Sequence, residues 1–151
     1  MRNGSIGARR SRGFTLIEVL IAILVMAFGL LGFALLQTMS VRFTQSANYR
    51  TQATNLAYEL FDQIRANRVA ANAYEGDYTA AASNCVPATG NTVTAAQYRQ
   101  AWQCRLNKAL GSNATARVTR NGNDLTVRIT WGDARWDVDN PSLSFDATTR
   151  L

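Results

Sequence analysis

Few side chains in this sequence are suited to catalysis. The chain contains no histidine, which rules out Ser-His-Asp and Cys-His arrangements and histidine-containing metal sites. Three carboxylates, Asp133, Asp137 and Asp139, lie close together in a glycine-containing segment that is typical of a solvated loop. Lys108 is the sole lysine and falls on the polar side of a predicted helix. We therefore expect no enzymatic activity, no cofactor and no metal; an enzyme that uses paired carboxylates or a Ser-Lys arrangement is the alternative.

One carboxylate lies in an unusual setting. Glu18 stands near the start of an apolar segment that runs from Phe14 to Leu36. A segment of about 20 apolar residues can cross a hydrocarbon core of about 30 Å. A carboxylate within such a segment costs on the order of a few kcal/mol and by default marks a functional site, although a position near the headgroups would leave it solvated. The charge therefore needs an explanation that length and hydropathy do not supply.

Basic residues flank this segment on its N-terminal side. Four of the sixteen basic residues stand there: Arg2, Arg9, Arg10 and Arg12. Positive charge beside an apolar span stays in the cytoplasm, so we expect the residues after Leu36 to lie on the outer side of the membrane. A cleaved secretory signal is the alternative, but its apolar core is shorter and ends in an A-x-A-like site that Gln37–Ser40 does not offer.

The edge of the apolar segment carries a resemblance to a known signal. After the arginine-rich leader comes Gly13-Phe14-Thr15-Leu16-Ile17-Glu18, which resembles the class III signal of type IV pilins and type II secretion pseudopilins. The resemblance implies that a prepilin peptidase cuts between Gly13 and Phe14 and that Phe14 is then N-methylated. It also implies that Glu18 guides assembly, because a charge among packed apolar helices needs a partner. In this family that partner is the N-terminal ammonium of a neighbouring subunit.

Two further stretches resemble the PilV family of minor pilins, the type IV pilus modification proteins. One is Phe28–Phe33 followed by Leu35–Thr38, and the other is Phe61–Arg68, where Gln63 and Ile64 depart from the family pattern. The resemblance implies a structural subunit that takes part in pilus assembly or initiation, and hence in adhesion or twitching motility. A type II secretion minor pseudopilin is the alternative.

The same resemblance implies partners and a location. The partners would be other minor and major pilins through the N-terminal helix, the prepilin peptidase and the inner-membrane assembly platform. The chain would span the bacterial inner membrane once, with its C-terminal domain in the periplasm, and would pass into the pilus on assembly.

Nucleic acid is an improbable partner on charge grounds. The formal charge of +6 falls to +2 in the side chains once the four leader arginines are set aside. In the chain after the leader, only Arg117, Arg120 and Arg128 suggest a positively charged surface for DNA. Three arginines are a weak basis for a DNA-binding competence pilin.

The spacing of the apolar residues predicts the helices of the chain. A stripe with helical spacing extends the first helix to about Asn67, and its members are Tyr49, Ala53, Leu56, Leu60 and Ile64. Residues 68–93 are predicted to be irregular. Thr94 is a predicted N-cap for a helix over 95–110, in which Tyr98, Trp102 and Leu106 face inward, and Gly111 ends it.

A hairpin and a further strand complete the prediction. Alternating apolar residues on both sides of Asn121-Gly122 predict a hairpin with that pair as its loop, so that Val118 faces Leu125 and Ala116 faces Val127. A third strand is expected near Ser142–Thr148. The pattern is α+β, and the resemblance implies a type IV pilin fold, a long N-terminal helix packed on a small antiparallel sheet. The predicted divisions are a cleaved leader 1–13, the membrane or filament-core half of the helix 14–36, its outer half 37–68 and a periplasmic domain 69–151.

Two cysteines, Cys85 and Cys104, lie in the predicted periplasmic domain. That compartment permits disulfides, and a bridge over a loop of this size contributes about 3 kcal/mol in the chain-entropy model. Two buried free thiols are the alternative. Because no C-x-x-C spacing is present, a bridge here would be structural.

Overall fold

The computed structural model describes residues 13–83, 85–88, 93–132 and 142–151. Helix α1 is Leu16–Ala66, a 3₁₀ helix follows at Arg68–Tyr74, and helix α2 is Ala95–Leu110. The strands are β1 Gly76–Thr79, β2 Thr115–Asn121, β3 Asp124–Trp131 and β4 Leu143–Arg150. The molecule is therefore mixed α+β, with a long N-terminal helix and an antiparallel sheet, consistent with the type IV pilin fold.

The chain divides into two compact units, Met1–Arg42 and Phe43–Leu151. In the described part of the first unit, which is the N-terminal portion of α1 and the residues just before it, every residue is exposed. An 18-residue window of α1 has a mean hydropathy of 2.9, and none of that window is buried within the protein. By length and composition alone this helix is able to cross a membrane.

The second unit has its own hydrophobic core. The predicted stripe is confirmed, since Ala53, Leu56, Leu60 and Ile64 are buried and Tyr49 is partly buried. Ala57 and Phe61 widen the stripe, and α2 contributes Tyr98, Trp102 and Leu106 from the predicted face. The inner face of the sheet completes the core with Ala116, Val118, Leu125, Val127, Ile129 and Trp131.

Helix α2 begins and ends where its sequence signals predict. Thr94 is the N-cap: its Oγ1 accepts from the backbone N–H of Gln97, and the Gln97 side chain accepts from the backbone N–H of Thr94. This reciprocal capping box satisfies two otherwise unpaired donors. Gly111 ends the helix at a φ of 95°, a conformation that favours glycine.

The prediction of an irregular stretch over 68–93 is wrong in its first part. Arg68–Tyr74 forms the 3₁₀ helix and Gly76–Thr79 forms β1, which pairs with β2. The strand order is β1-β2-β3-β4, so the sheet has four strands among the described residues rather than about three. The predicted strand near Ser142–Thr148 is confirmed as β4. Strand β1 has four residues, too few for a period of two to stand out in the sequence.

The predicted hairpin register is also wrong, although the faces of its strands are right. Val118 pairs with Val127 and Ala116 with Ile129, and the loop is Gly122-Asn123. Gly122 has a φ of 62°, the positive value that both hairpin turn types need at the first loop position. The loop thus begins at a glycine, which adopts a positive φ without the steric cost of a Cβ. Because the pairing moves by two residues, each side chain keeps its predicted face.

Candidate functional site

The Gly13–Phe14 peptide bond lies just outside the helix. Gly13, Phe14 and Thr15 have no helical structure, and α1 begins at Leu16. Phe14 is 83 % exposed, and a Cβ built on Gly13 would meet no atom within 4 Å. The backbone on both sides of this bond is therefore accessible and free of helical hydrogen bonds, as a protease substrate must be.

Thr15 caps the helix. Its Oγ1 accepts from the backbone N–H of Glu18 at 3.3 Å, and its carbonyl accepts from the backbone N–H groups of Glu18 and Val19 at 3.1 and 3.3 Å. The backbone N–H groups of the first turn have no partners within the helix, and these bonds satisfy two of them. Thr15 follows Phe14, so a chain that started at Phe14 would keep this cap.

Glu18 lies in the first turn of α1, where the helix dipole favours negative charge. Within the described part of the chain, no cation forms a salt bridge with its carboxylate. The neighbouring side chains on the same helix are exposed and apolar, including Ile17 at 62 % and Ile21 at 57 %. A carboxylate in that setting has no partner from its own helix and requires one from outside when the helix is packed against others.

Residues 8–34 match the profile of the prokaryotic N-terminal methylation motif. This match supports a type IV pilin-like protein. The matched range includes Gly13, Phe14 and Glu18, and the exposed apolar helix fits a membrane-anchored pilin. No curated protein and no solved structure matches this chain significantly.

The leader assigned to residues 1–13 lies, apart from Gly13, outside the described residues.

The two cysteines are joined in the second unit. The Cα atoms of Cys85 and Cys104 are 5.6 Å apart, and their sulfur atoms form a disulfide. Cys104 belongs to α2, while Cys85 belongs to the segment between β1 and α2. The bridge thus attaches an otherwise irregular segment to α2, which is a structural role.

The arginines considered for DNA binding are engaged by the protein itself. Arg117 Nε and Nη2 donate to the two carboxylate oxygens of Asp77 at 2.5 and 3.2 Å, and Arg128 contacts Asp146 in the same way at 2.6 and 3.1 Å. Hydrogen bonding to Arg117 lowers the pKa of the Asp77 carboxyl below its ordinary value. Arg120 donates to the side chain of Asn72 and to the carbonyl of Gly122.

Sequence reasoning missed the two carboxylates in these pairs. Asp77 lies on β1, the strand that was not predicted, and pairs in register with Arg117. Asp146 lies on β4 opposite Arg128. The pairs become visible only when the strand order is known.

The remaining candidates for catalysis are three carboxylates and the single lysine. Asp133, Asp137 and Asp139 lie outside the residues that the structure describes. Lys108 is exposed on α2, as predicted. No group of three or more metal-ligating side chains occurs in the described ranges.

Proposed function

We propose that this protein is a minor pilin, a structural and non-enzymatic subunit that takes part in assembling a type IV pilus. The methylation motif at residues 8–34 supports the coarser assignment, a pilin or pseudopilin subunit. The observation that carries the proposal is Glu18, a carboxylate with no salt bridge in the described residues, in the exposed and predominantly apolar N-terminal portion of α1. The PilV-like stretches Phe28–Phe33 and Phe61–Arg68 favour the minor-pilin branch.

The proposed maturation uses the residues at the start of α1. The prepilin peptidase cuts between Gly13 and Phe14 on the cytoplasmic side, where Gly13 allows close approach to the backbone. Hydrolysis leaves a carboxylate on Gly13 and a free amino group on Phe14; the neutral amine then takes a methyl group from a methyl donor and releases a proton, and the methylated amine is again a cation when protonated. Thr15 keeps the helix capped throughout, so cleavage does not unravel the first turn.

The proposed assembly step pairs Glu18 with the ammonium of a neighbouring subunit. Burial of an isolated carboxylate among apolar helices is strongly unfavourable, and a cation buried beside it offsets part of that cost. An incoming chain is therefore most stable at the axial position where the two charges meet. Other pilins, the peptidase and the inner-membrane assembly platform are the partners that this scheme requires.

Replacement of Glu18 tests this step. Glu18→Ala should leave cleavage intact and reduce the amount of the protein in sheared filaments by about tenfold or more, because the ammonium then has no partner in the apolar core. Asp62→Ala is the matched control, since Asp62 is another exposed carboxylate on α1. Incorporation of Glu18→Ala at the wild-type level would contradict the proposed pairing.

A minor pseudopilin of a type II secretion system shares the same N-terminal signal. The two are distinguished by deleting the chain in its host. We expect deletion to reduce surface pili and twitching motility and to leave secretion of folded exoproteins unchanged. The reverse result would assign the protein to the secretion system.

A further inference from the structure

The outer face of the sheet, the face turned away from the core, is unusually regular in its chemistry. One cross-strand row, read from β1 to β4, consists of four hydroxyl residues: Thr79, Thr115, Thr130 and Ser144. A second row, two residues further along each strand, contains the two ion pairs: Asp77, Arg117, Arg128 and Asp146. A third row returns to hydroxyls with Thr119, Thr126 and Thr148. All these residues are exposed or half-exposed.

These rows form a two-dimensional array of polar groups. Adjacent strands are about 4.8 Å apart and alternate residues on one strand about 6.8 Å apart, which sets the spacing of the array. Between the first two rows lies an open concavity of about 320 Å³, lined by polar residues of both rows, among them Thr115, Arg117, Arg128 and Thr130, and also by Tyr78 and Ala116. A ligand placed there meets hydroxyls on one side and the ion pairs on the other.

The charges within these three rows cancel. Each arginine is held by a carboxylate on the neighbouring outer strand, so Arg117 leans towards β1 and Arg128 towards β4. A polyanion would have to displace Asp77 and Asp146 or lie beside them, which disfavours nucleic acid and anionic polymers. The three rows contain no aromatic or aliphatic residue, so they lack the apolar anchors that stable protein–protein contacts use.

We propose that this face binds a neutral polysaccharide. Hydroxyl groups of threonine and serine both donate and accept, and the paired arginines and aspartates still present free donors and acceptors to solvent. A sugar hydroxyl also donates and accepts, so a neutral chain of sugars can satisfy such an array without a charge of its own. The proposal goes beyond the assembly role, because it concerns the second unit and does not depend on cleavage or on Glu18.

The test uses the full chain in micelles of a polyoxyethylene detergent, which has no sugar headgroup to compete. The probes are four neutral polysaccharides, namely cellulose, chitin, mannan and amylose, and one anionic polymer, alginate. We expect the protein to associate with at least one neutral polymer and to remain bound in 1 M NaCl, because screening of charges leaves neutral hydrogen bonding largely unchanged. Binding to none of the four, or salt-sensitive binding to alginate alone, would overturn the proposal.

A matched pair of double variants locates the binding. Thr115→Val with Thr130→Val removes two hydroxyls from the array and keeps β-branched side chains on the strands, and we expect binding to weaken about tenfold. Thr51→Val with Thr54→Val is the control, because those hydroxyls bond to their own helix at Ala47 and Arg50. Equal affinity of the two double variants would overturn the proposal.

Two further measurements keep the test decisive. The double variant at Thr115 and Thr130 is called the sheet variant. If it loses its near-UV circular dichroism and is therefore misfolded, Ser144→Ala on β4 replaces it, and we expect the affinity for the polysaccharide to fall about threefold. A second copy of the chain is the other possible occupant of this face. Sedimentation velocity of the wild type and of the Thr115→Val with Thr130→Val variant detects such self-association. Self-association in the wild type that disappears in the sheet variant would assign the face to that contact and overturn the proposal. Failure here leaves filament assembly untouched, so the two proposals fail separately.

Discussion

At the scale of single residues, the chain keeps two glutamates on α1 in opposite circumstances. Glu59, in the second unit, accepts a hydrogen bond from the Tyr98 hydroxyl at 3.1 Å and forms a salt bridge with Arg105 at 2.6 Å. Glu18, in the first unit, has neither kind of partner in the described residues. The first carboxylate links α1 to α2, whereas the second has no such partner in the residues that the structure describes. The same residue type thus serves the fold in one unit and is proposed to serve assembly in the other.

Tyr98 gives a pH-dependent prediction. Burial, and after it the nearby Glu59 charge, raise the pKa of Tyr98 well above its ordinary value. The neutral hydroxyl is therefore favoured in the folded state, so its contribution to the free energy of unfolding is complete below about pH 10, the ordinary tyrosine pKa. That contribution is lost as the pH rises from there towards the raised folded-state value.

The measurement is thermal unfolding of the full chain in micelles between about pH 8 and pH 11. We expect the melting temperature of the wild type to fall more steeply above about pH 10 than that of Tyr98→Phe, which has no proton to lose. Tyr58→Phe is the control, because the Tyr58 side chain is 57 % exposed, and it should follow the wild type. Parallel curves for the wild type and Tyr98→Phe would refute this coupling.

At the scale of elements, some signals in the sequence were sufficient and others were not. The two ends of α2 were predictable because they depend on the local residues Thr94 and Gly111, and its buried face because Tyr98, Trp102 and Leu106 recur at helical spacing. Strand β1 was not, because four residues carry too little periodicity and their pairing partner is distant in the chain. The ion pairs of the sheet were missed with it, since they depend on strand order. The hairpin faces were predictable from alternation, but its register depended on the conformation of Gly122.

The disulfide gives a prediction at this scale. The bridge closes a loop with a sequence separation of 19, for which the chain-entropy model gives about 3 kcal/mol. Cys85→Ser with Cys104→Ser should lower the free energy of unfolding of the second unit by about that amount. The check is urea unfolding of the full chain, followed by tryptophan fluorescence. Reduction of the wild type should produce the same loss, and a loss in neither case would contradict a structural bridge.

At the scale of the whole molecule, the two units differ in what they bury. In the part of the chain that the structure describes, the first unit exposes the apolar portion of α1 and buries none of it, whereas the second has a core made by α1, α2 and the sheet. The pilin-like character of the first unit was readable from the sequence, because a short motif carries it and residues 8–34 match a known profile. The outer face of the second unit was not readable, because its rows join residues from four strands.

The most direct test of the account is mass spectrometry of the N-terminus of the mature chain, isolated from cells with an active prepilin peptidase. We predict that the chain begins at Phe14, that this residue carries an N-methyl group, and that Gly13→Val abolishes both cleavage and methylation because the added side chain blocks approach to the backbone. A mature chain that keeps Met1 or any other leader residue would contradict the assignment of this protein as a pilin subunit.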